Sequence, residues 1–143
     1  MSKIAIVFWS GSGNTEAMAN CIAEGAKAAG AEISLMGPGE FSAARLSEFD
    51  AVAFGCPAMG AEVLEEAEFD PMFTALEGSL AGKKLALFGS YGWGDGQWMR
   101  DWADRCRSAK AVLLDEDGLM VNGTPDAAAE DACRDLGKKL AAW

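Results

Sequence analysis

The run Ile4-Ala5-Ile6-Val7-Phe8-Trp9 carries no charge and breaks into Ser10-Gly11-Ser12-Gly13-Asn14-Thr15, after which helical spacing begins. A strand that turns into a helix through small hydroxyl and amide residues restricts the chain to folds in which strand ends face helix starts, as in parallel sheets. Such a turn exposes backbone N–H groups at the positive end of the helix dipole, where an anion such as a phosphate is stabilised. Ser10, Ser12, Asn14 and Thr15 add neutral side-chain donors. A nucleotide-hydrolysing P-loop needs Gly-Lys followed by Ser or Thr, and this segment has no lysine. The dinucleotide pattern Gly-x-Gly-x-x-Gly also fails, because Glu16 stands at its last position. A monophosphate ligand remains, set against an ordinary turn and helix cap made of the same residues.

Apolar segments recur at Lys3 to Trp9, Glu32 to Met36, Ala51 to Gly55, Lys84 to Ser90 and Ala111 to Leu114. Helical patterns lie between them. Ala17, Met18, Cys21, Ile22, Gly25, Ala26 and Ala29 share one helical face, a short amphipathic piece spans Ala43 to Phe49, and 70–76 and 97–108 read as helices. In the last helix Thr124 is the expected N-cap, Pro125 the first helical residue, and Ala129, Ala132, Cys133, Leu136 and Leu140 the apolar stripe. Segments Asp115 to Gly118 and Asn122 to Pro125 read as turn-rich loops. The alternation predicts an α/β fold, a parallel sheet covered by helices on both faces, in a single domain of residues 1–143. Ligands of such sheets bind outside the carboxyl ends of the strands, which singles out the loops 10–15, 56–68 and 91–97.

Composition narrows the chemistry. There is no histidine among the 143 residues, so the commonest general base and transition-metal ligand is missing, and reactivity would come from a cofactor. The four cysteines are scattered, with no C-x-x-C pair to hold zinc or an iron–sulfur cluster. Cys56 borders a candidate loop, though a small core residue is the alternative. A net charge of −10, from 22 acidic and 12 basic residues, argues against nucleic acid and favours partners with basic faces. No segment approaches a membrane helix and Met1-Ser2-Lys3 enters a strand directly, so no membrane partner and a cytoplasmic location are expected.

The other two loops read Cys56-Pro57-Ala58-Met59-Gly60-Ala61-Glu62 and Ser90-Tyr91-Gly92-Trp93-Gly94-Asp95. Each sets a large soft side chain among glycines at the exposed end of the sheet, a costly arrangement unless something flat covers it. Trp93 packed on a neighbouring loop and Met59 filling a gap are the alternatives. Beside the phosphate loop, a planar ring carrying one phosphate and held between Met59 and Trp93 is the better account.

With these three loops the chain resembles the short-chain flavodoxins of anaerobic bacteria along essentially its whole length. The family phosphate motif Ser-Gly-Thr-Gly-Asn-Thr is present with Ser12 in place of Thr. The resemblance implies a doubly wound five-stranded sheet of order 2-1-3-4-5 and non-covalently bound FMN. It implies that Ser10, Gly11, Ser12, Gly13, Asn14 and Thr15 with Ser90 hold the phosphate, that Met59 and Trp93 flank the ring, and that Glu62 accepts from the flavin N3–H. The remaining residues of the two loops, Cys56, Pro57, Ala58, Gly60, Ala61, Tyr91, Gly92, Gly94 and Asp95, are expected to complete the site.

The Gly60–Ala61 peptide is implied to turn over on reduction. A type II′ turn over residues 59–62 needs positive φ at Gly60, which glycine supplies, and its carbonyl would then meet the N5–H of the neutral semiquinone. Ala61 replaces an acidic residue or glycine expected in close relatives. Glu62, Glu65, Glu66, Glu68, Asp70 and Asp95 together are expected to disfavour a second electron by on the order of 100 mV. The expected role is therefore a low-potential one-electron carrier, cycling between semiquinone and hydroquinone and monomeric, with the acidic run 62–70 a docking surface or a solvated helix start. An FMN reductase acting on a small substrate is the rival. A non-redox receiver module is a weaker one, since the first strand ends in Trp9-Ser10 rather than in acids.

Overall fold

The computed structural model describes residues 2–60, 62–114 and 118–143. In chain order the elements are β1 (Lys3–Phe8), α1 (Asn14–Ala28), β2 (Glu32–Met36), β3 (Ala51–Gly55), α2 (Phe69–Leu76), β4 (Lys84–Tyr91), α3 (Gln97–Ser108), β5 (Val112–Leu113), β6 (Leu119–Asn122) and α4 (Ala127–Ala142). The amphipathic piece after β2 is a 3-10 helix, Ala43–Glu48. Among the described residues the strands form one parallel sheet of order β2-β1-β3-β4-β5, with β6 also beside β4.

Period-two alternation explains the layering, because successive strand residues face opposite sides of the sheet. Ile4 and Ile6 of β1, Ala53 of β3 and Phe88 of β4 join Met18, Ile22, Cys133 and Leu140 under α1 and α4. Ala5 and Val7, Val52 and Phe54, and Leu85 and Leu87 join Phe69, Phe73, Trp98 and Trp102 under α2 and α3. On the first side the helices almost touch. A methyl group on Gly25 would overlap the Arg134 carbonyl oxygen, and one on Gly137 would overlap that of Ile22. Only glycine permits that approach.

Two details depart from the sequence reading. The fifth column of the sheet is split: β5 pairs with Lys84 and Leu85, and β6 pairs with Phe88 to Tyr91. Asn122, read as a loop, thus closes a strand; of the loop Asp115 to Gly118, residues 115–117 lie outside the described residues. The last helix starts after Asp126, not at Pro125 with Thr124 as cap. Asp126 is extended and its carboxylate accepts from Ala129 N at 2.8 Å, a charged cap on the positive helix end that outcompetes the neutral hydroxyl two residues earlier. Among the described residues no helix is long and apolar enough to cross a membrane.

Candidate functional site

The carboxyl ends of β1, β3 and β4 lie side by side, so the three loops meet at one edge. Ser10 organises the first. Its Oγ accepts from Gly13 N at 3.1 Å and Glu16 N at 3.2 Å, and Ser12 Oγ accepts from Asn14 N at 3.5 Å. The N–H groups of Gly11, Ser12 and Thr15 find no acceptor among the described residues. Across from them Thr15 Oγ1 and Ser90 Oγ are 3.1 Å apart, in residues only 1% and 4% exposed. One hydroxyl hydrogen links the two oxygens, and the other is left to donate.

The second and third loops are tied together by backbone and by one carboxylate. Ala58 N donates to the Ser90 carbonyl at 3.0 Å, and Met59 and Val63 exchange both backbone bonds, at 2.8 and 3.0 Å. Gly60 has φ 45°, the positive value expected of it, but the loop closes at Val63, one residue wider than the turn over 59–62. Ala61, and with it the Gly60–Ala61 peptide, lies outside the described residues. Glu62 also takes positive φ, 57°, which is strained for a side chain with a Cβ. Its Oε1 accepts from Asp95 N at 3.2 Å and Gly96 N at 3.1 Å, at the start of α3, and this holds it there.

Between the loops opens a cleft of about 300 Å³, within the range of small-ligand sites. Gly11, Ser12, Asn14, Pro57, Ala58, Met59, Ser90, Tyr91 and Gly92 line it. Ser10, Gly13 and Thr15 are not among the lining residues. Cys56 lies in the core and outside the lining, as its alternative reading had it: it is fully buried, its Sγ accepts from Glu65 N at 3.3 Å and its carbonyl from Trp98 Nε1 at 3.1 Å. Burial pushes its thiol up to about 12. Trp93 is 69% exposed and stands outside the lining. Gly94 lies against the Glu62 side chain, and Asp95 pairs with Arg100 at 3.0 Å.

Two lining residues escaped the sequence reading, Trp9 and Gly123. An aromatic at the last position of an apolar run that opens a ligand loop was an available signal for Trp9. Gly123 arrives only through β6, its N–H bonded to the Tyr91 carbonyl at 2.8 Å. The acidic run is also less free than its composition suggests. Glu65 is 7% exposed and bonded to three backbone N–H groups, Glu68 accepts from Trp9 Nε1 at 3.0 Å, and Asp70 pairs with Arg105 at 2.9 Å.

The donor set is neutral and suits a single phosphate held by N–H and O–H groups, while Trp9, Met59 and Tyr91 give apolar walls for a flat ring. The comparisons agree. A family model described as Flavodoxin matches residues 6–137. The chain is 46% identical over 136 residues to the flavodoxin of Clostridium beijerinckii, covering 95% of this chain and 97% of that one. It is 44% identical over 138 residues to the flavodoxin of Megasphaera elsdenii, covering 96% and 98%. The solution structure of two-electron reduced M. elsdenii flavodoxin superposes with a TM-score of 0.88 over 98% of this chain and 99% of that one. The chain thus belongs to the flavodoxin family, the FMN-binding electron carriers.

Proposed function

We propose that this protein is a low-potential one-electron carrier that docks transiently, as a cytoplasmic monomer and a single FMN-binding unit, with redox proteins presenting basic faces. The observation that carries the reading is the phosphate loop with free N–H donors and no cation, opening onto a cleft walled by Trp9, Met59 and Tyr91. Bound FMN supplies two one-electron steps. The loop 10–15 and Ser90 hold the phosphate, and Met59 and Trp93 enclose the ring. The exposed Trp93 indole, one residue after the lining Gly92, supports this, since a large apolar side chain left in solvent favours a flat cover.

Glu62 spends one oxygen on α3 and keeps Oε2 to accept from the ring's N3–H. Gly60, already at positive φ, has the conformational freedom that a carbonyl turning toward a ring N–H would need. A side chain over each ring face leaves no room for a substrate, which favours a carrier over a reductase. The net charge of −10 favours basic partners and predicts reduction rates that fall steeply with salt.

The test is binding selectivity. Apoprotein titrated with FMN should bind one equivalent with its flavin fluorescence quenched, whereas riboflavin, lacking the phosphate, should bind about a hundredfold more weakly. Equal affinity for both would show that loop 10–15 is only a turn.

A further inference from the structure

We propose that Glu65 is a positioning residue for the cleft: through the turn 65–69 it fixes the Trp9 wall, and so sets the affinity for FMN without touching the ligand. The second half rests on the FMN reading above. Glu65 does not line the 300 Å³ cleft. It lies next to the start of α2, only 7% exposed. Its backbone N–H donates to Cys56 Sγ at 3.3 Å, which anchors it to the end of β3. Its carboxylate encircles the start of α2: Oε2 accepts from Ala67 N at 2.9 Å, and Oε1 from Glu68 N at 2.8 Å and Phe69 N at 2.9 Å.

Glu68, held in this way, offers Oε2 to Trp9 Nε1 at 3.0 Å. The Trp9 ring in turn lies 3.0 Å from the place a Cβ on Gly11 would take, so it rests against the first glycine of the phosphate loop. A continuous chain of contacts therefore runs from the core at Cys56, through Glu65 and Glu68, to the aromatic wall of the cleft. An indole at a strand end has several rotamers open to it, and a bond at Nε1 selects one.

The chemistry at Glu65 is specific. Three N–H groups need the acceptor capacity of both carboxylate oxygens, and glutamine has one acceptor oxygen and brings donors of its own. Glu65→Gln keeps an acceptor for at most two of the three N–H groups and turns a donor toward the third, which loosens the turn that carries Glu68. Glu68→Ala removes the acceptor of Trp9 at an exposed position and leaves the Glu65 cap intact.

The experiment measures Trp9 indole N–H exchange by NMR in the apoprotein, with the resonance assigned from Trp9→Phe. It also measures the FMN dissociation constant at a temperature where circular dichroism shows each variant folded. Glu65→Gln should speed the exchange several-fold and weaken FMN about tenfold. Glu68→Ala should speed the exchange equally, weaken FMN to the same degree, about tenfold, and leave the melting temperature unchanged. The double variant should bind FMN no more weakly than Glu65→Gln alone, because both act through one link. A lowered melting temperature with unchanged indole exchange and unchanged affinity would reduce Glu65 to a helix cap and overturn the proposal; fully additive effects of the two substitutions would do the same. If the wild-type protein fails to bind FMN, the functional reading fails, and the indole exchange alone decides whether Glu65 positions Trp9.

Discussion

The α1/α4 layer and the carboxyl edge of the sheet are held by different means. Under α1 and α4 the contact is apolar and backbone-close, with Gly25 against the Arg134 carbonyl and Gly137 against that of Ile22, so the layer has no slack. At the carboxyl edge of the sheet, next to α2 and α3, the loops are held by carboxylates and hydroxyls on backbone N–H groups: Ser10 on Gly13 and Glu16, Glu62 on Asp95 and Gly96, Glu65 on 67–69. Close packing gives rigidity that does not depend on solution conditions, whereas polar clasps give definite geometry with a weaker hold. An edge that must admit a cofactor needs the second kind.

Substitutions that strike one side only should separate the two. Gly25→Ala has the largest expected effect, about 3 kcal/mol of lost stability, since the helices must move apart to admit the methyl group. Chemical denaturation measures it. FMN affinity of the protein that remains folded at low temperature should be unchanged.

Glu65→Gln strikes the other side and should remove about 2 kcal/mol, in a pH-dependent way. Burial alone would raise the Glu65 pKa, but the N–H bonds from Phe69, Glu68 and Ala67 together outweigh it and hold the carboxyl below its usual value of 4.5. A carboxyl lowered in the folded state stabilises fully above the unfolded value, and the contribution is lost as pH falls through the folded value. Denaturation midpoints measured from neutral pH into acid should therefore converge for wild type and variant at low pH. A constant gap would assign the effect to packing instead.

Ser10→Ala should cost about 1 kcal/mol by leaving the Gly13 and Glu16 N–H groups without their acceptor, and it should weaken FMN while barely changing riboflavin binding. The smallest effect is expected of Arg100→Ala. Its ion pair with Asp95 is exposed, so the melting curve should shift by less than about 0.5 kcal/mol in stability.

The sequence made the first side legible and the second only in outline. Segments of five or more residues rich in apolar side chains located β1 to β4, and Ser10 to Thr15 marked a strand-to-helix turn, because backbone patterns and turn chemistry are local. The segment Ala111 to Leu114 located β5, but β6 did not show, since a run of four residues beside turn signals carries too little periodicity to separate from loop. Thr124-Pro125 mimicked a helix start two residues before Asp126 took the role. The family resemblance marked Glu62 as an acceptor, but its partners in the fold stand 33 and 34 residues away and only the fold brings them together. Glu65 read as one more surface acid for the same reason: what sets it apart is burial and three backbone bonds made in place.

The central claim is one-electron transfer through FMN at this edge, and the most direct test is an anaerobic spectroelectrochemical titration of the FMN-loaded protein. The account predicts a long-wavelength absorbance band of the one-electron-reduced state that rises and then decays, with the second step at the lower potential. Direct bleaching in one two-electron step, with no such band, would contradict it.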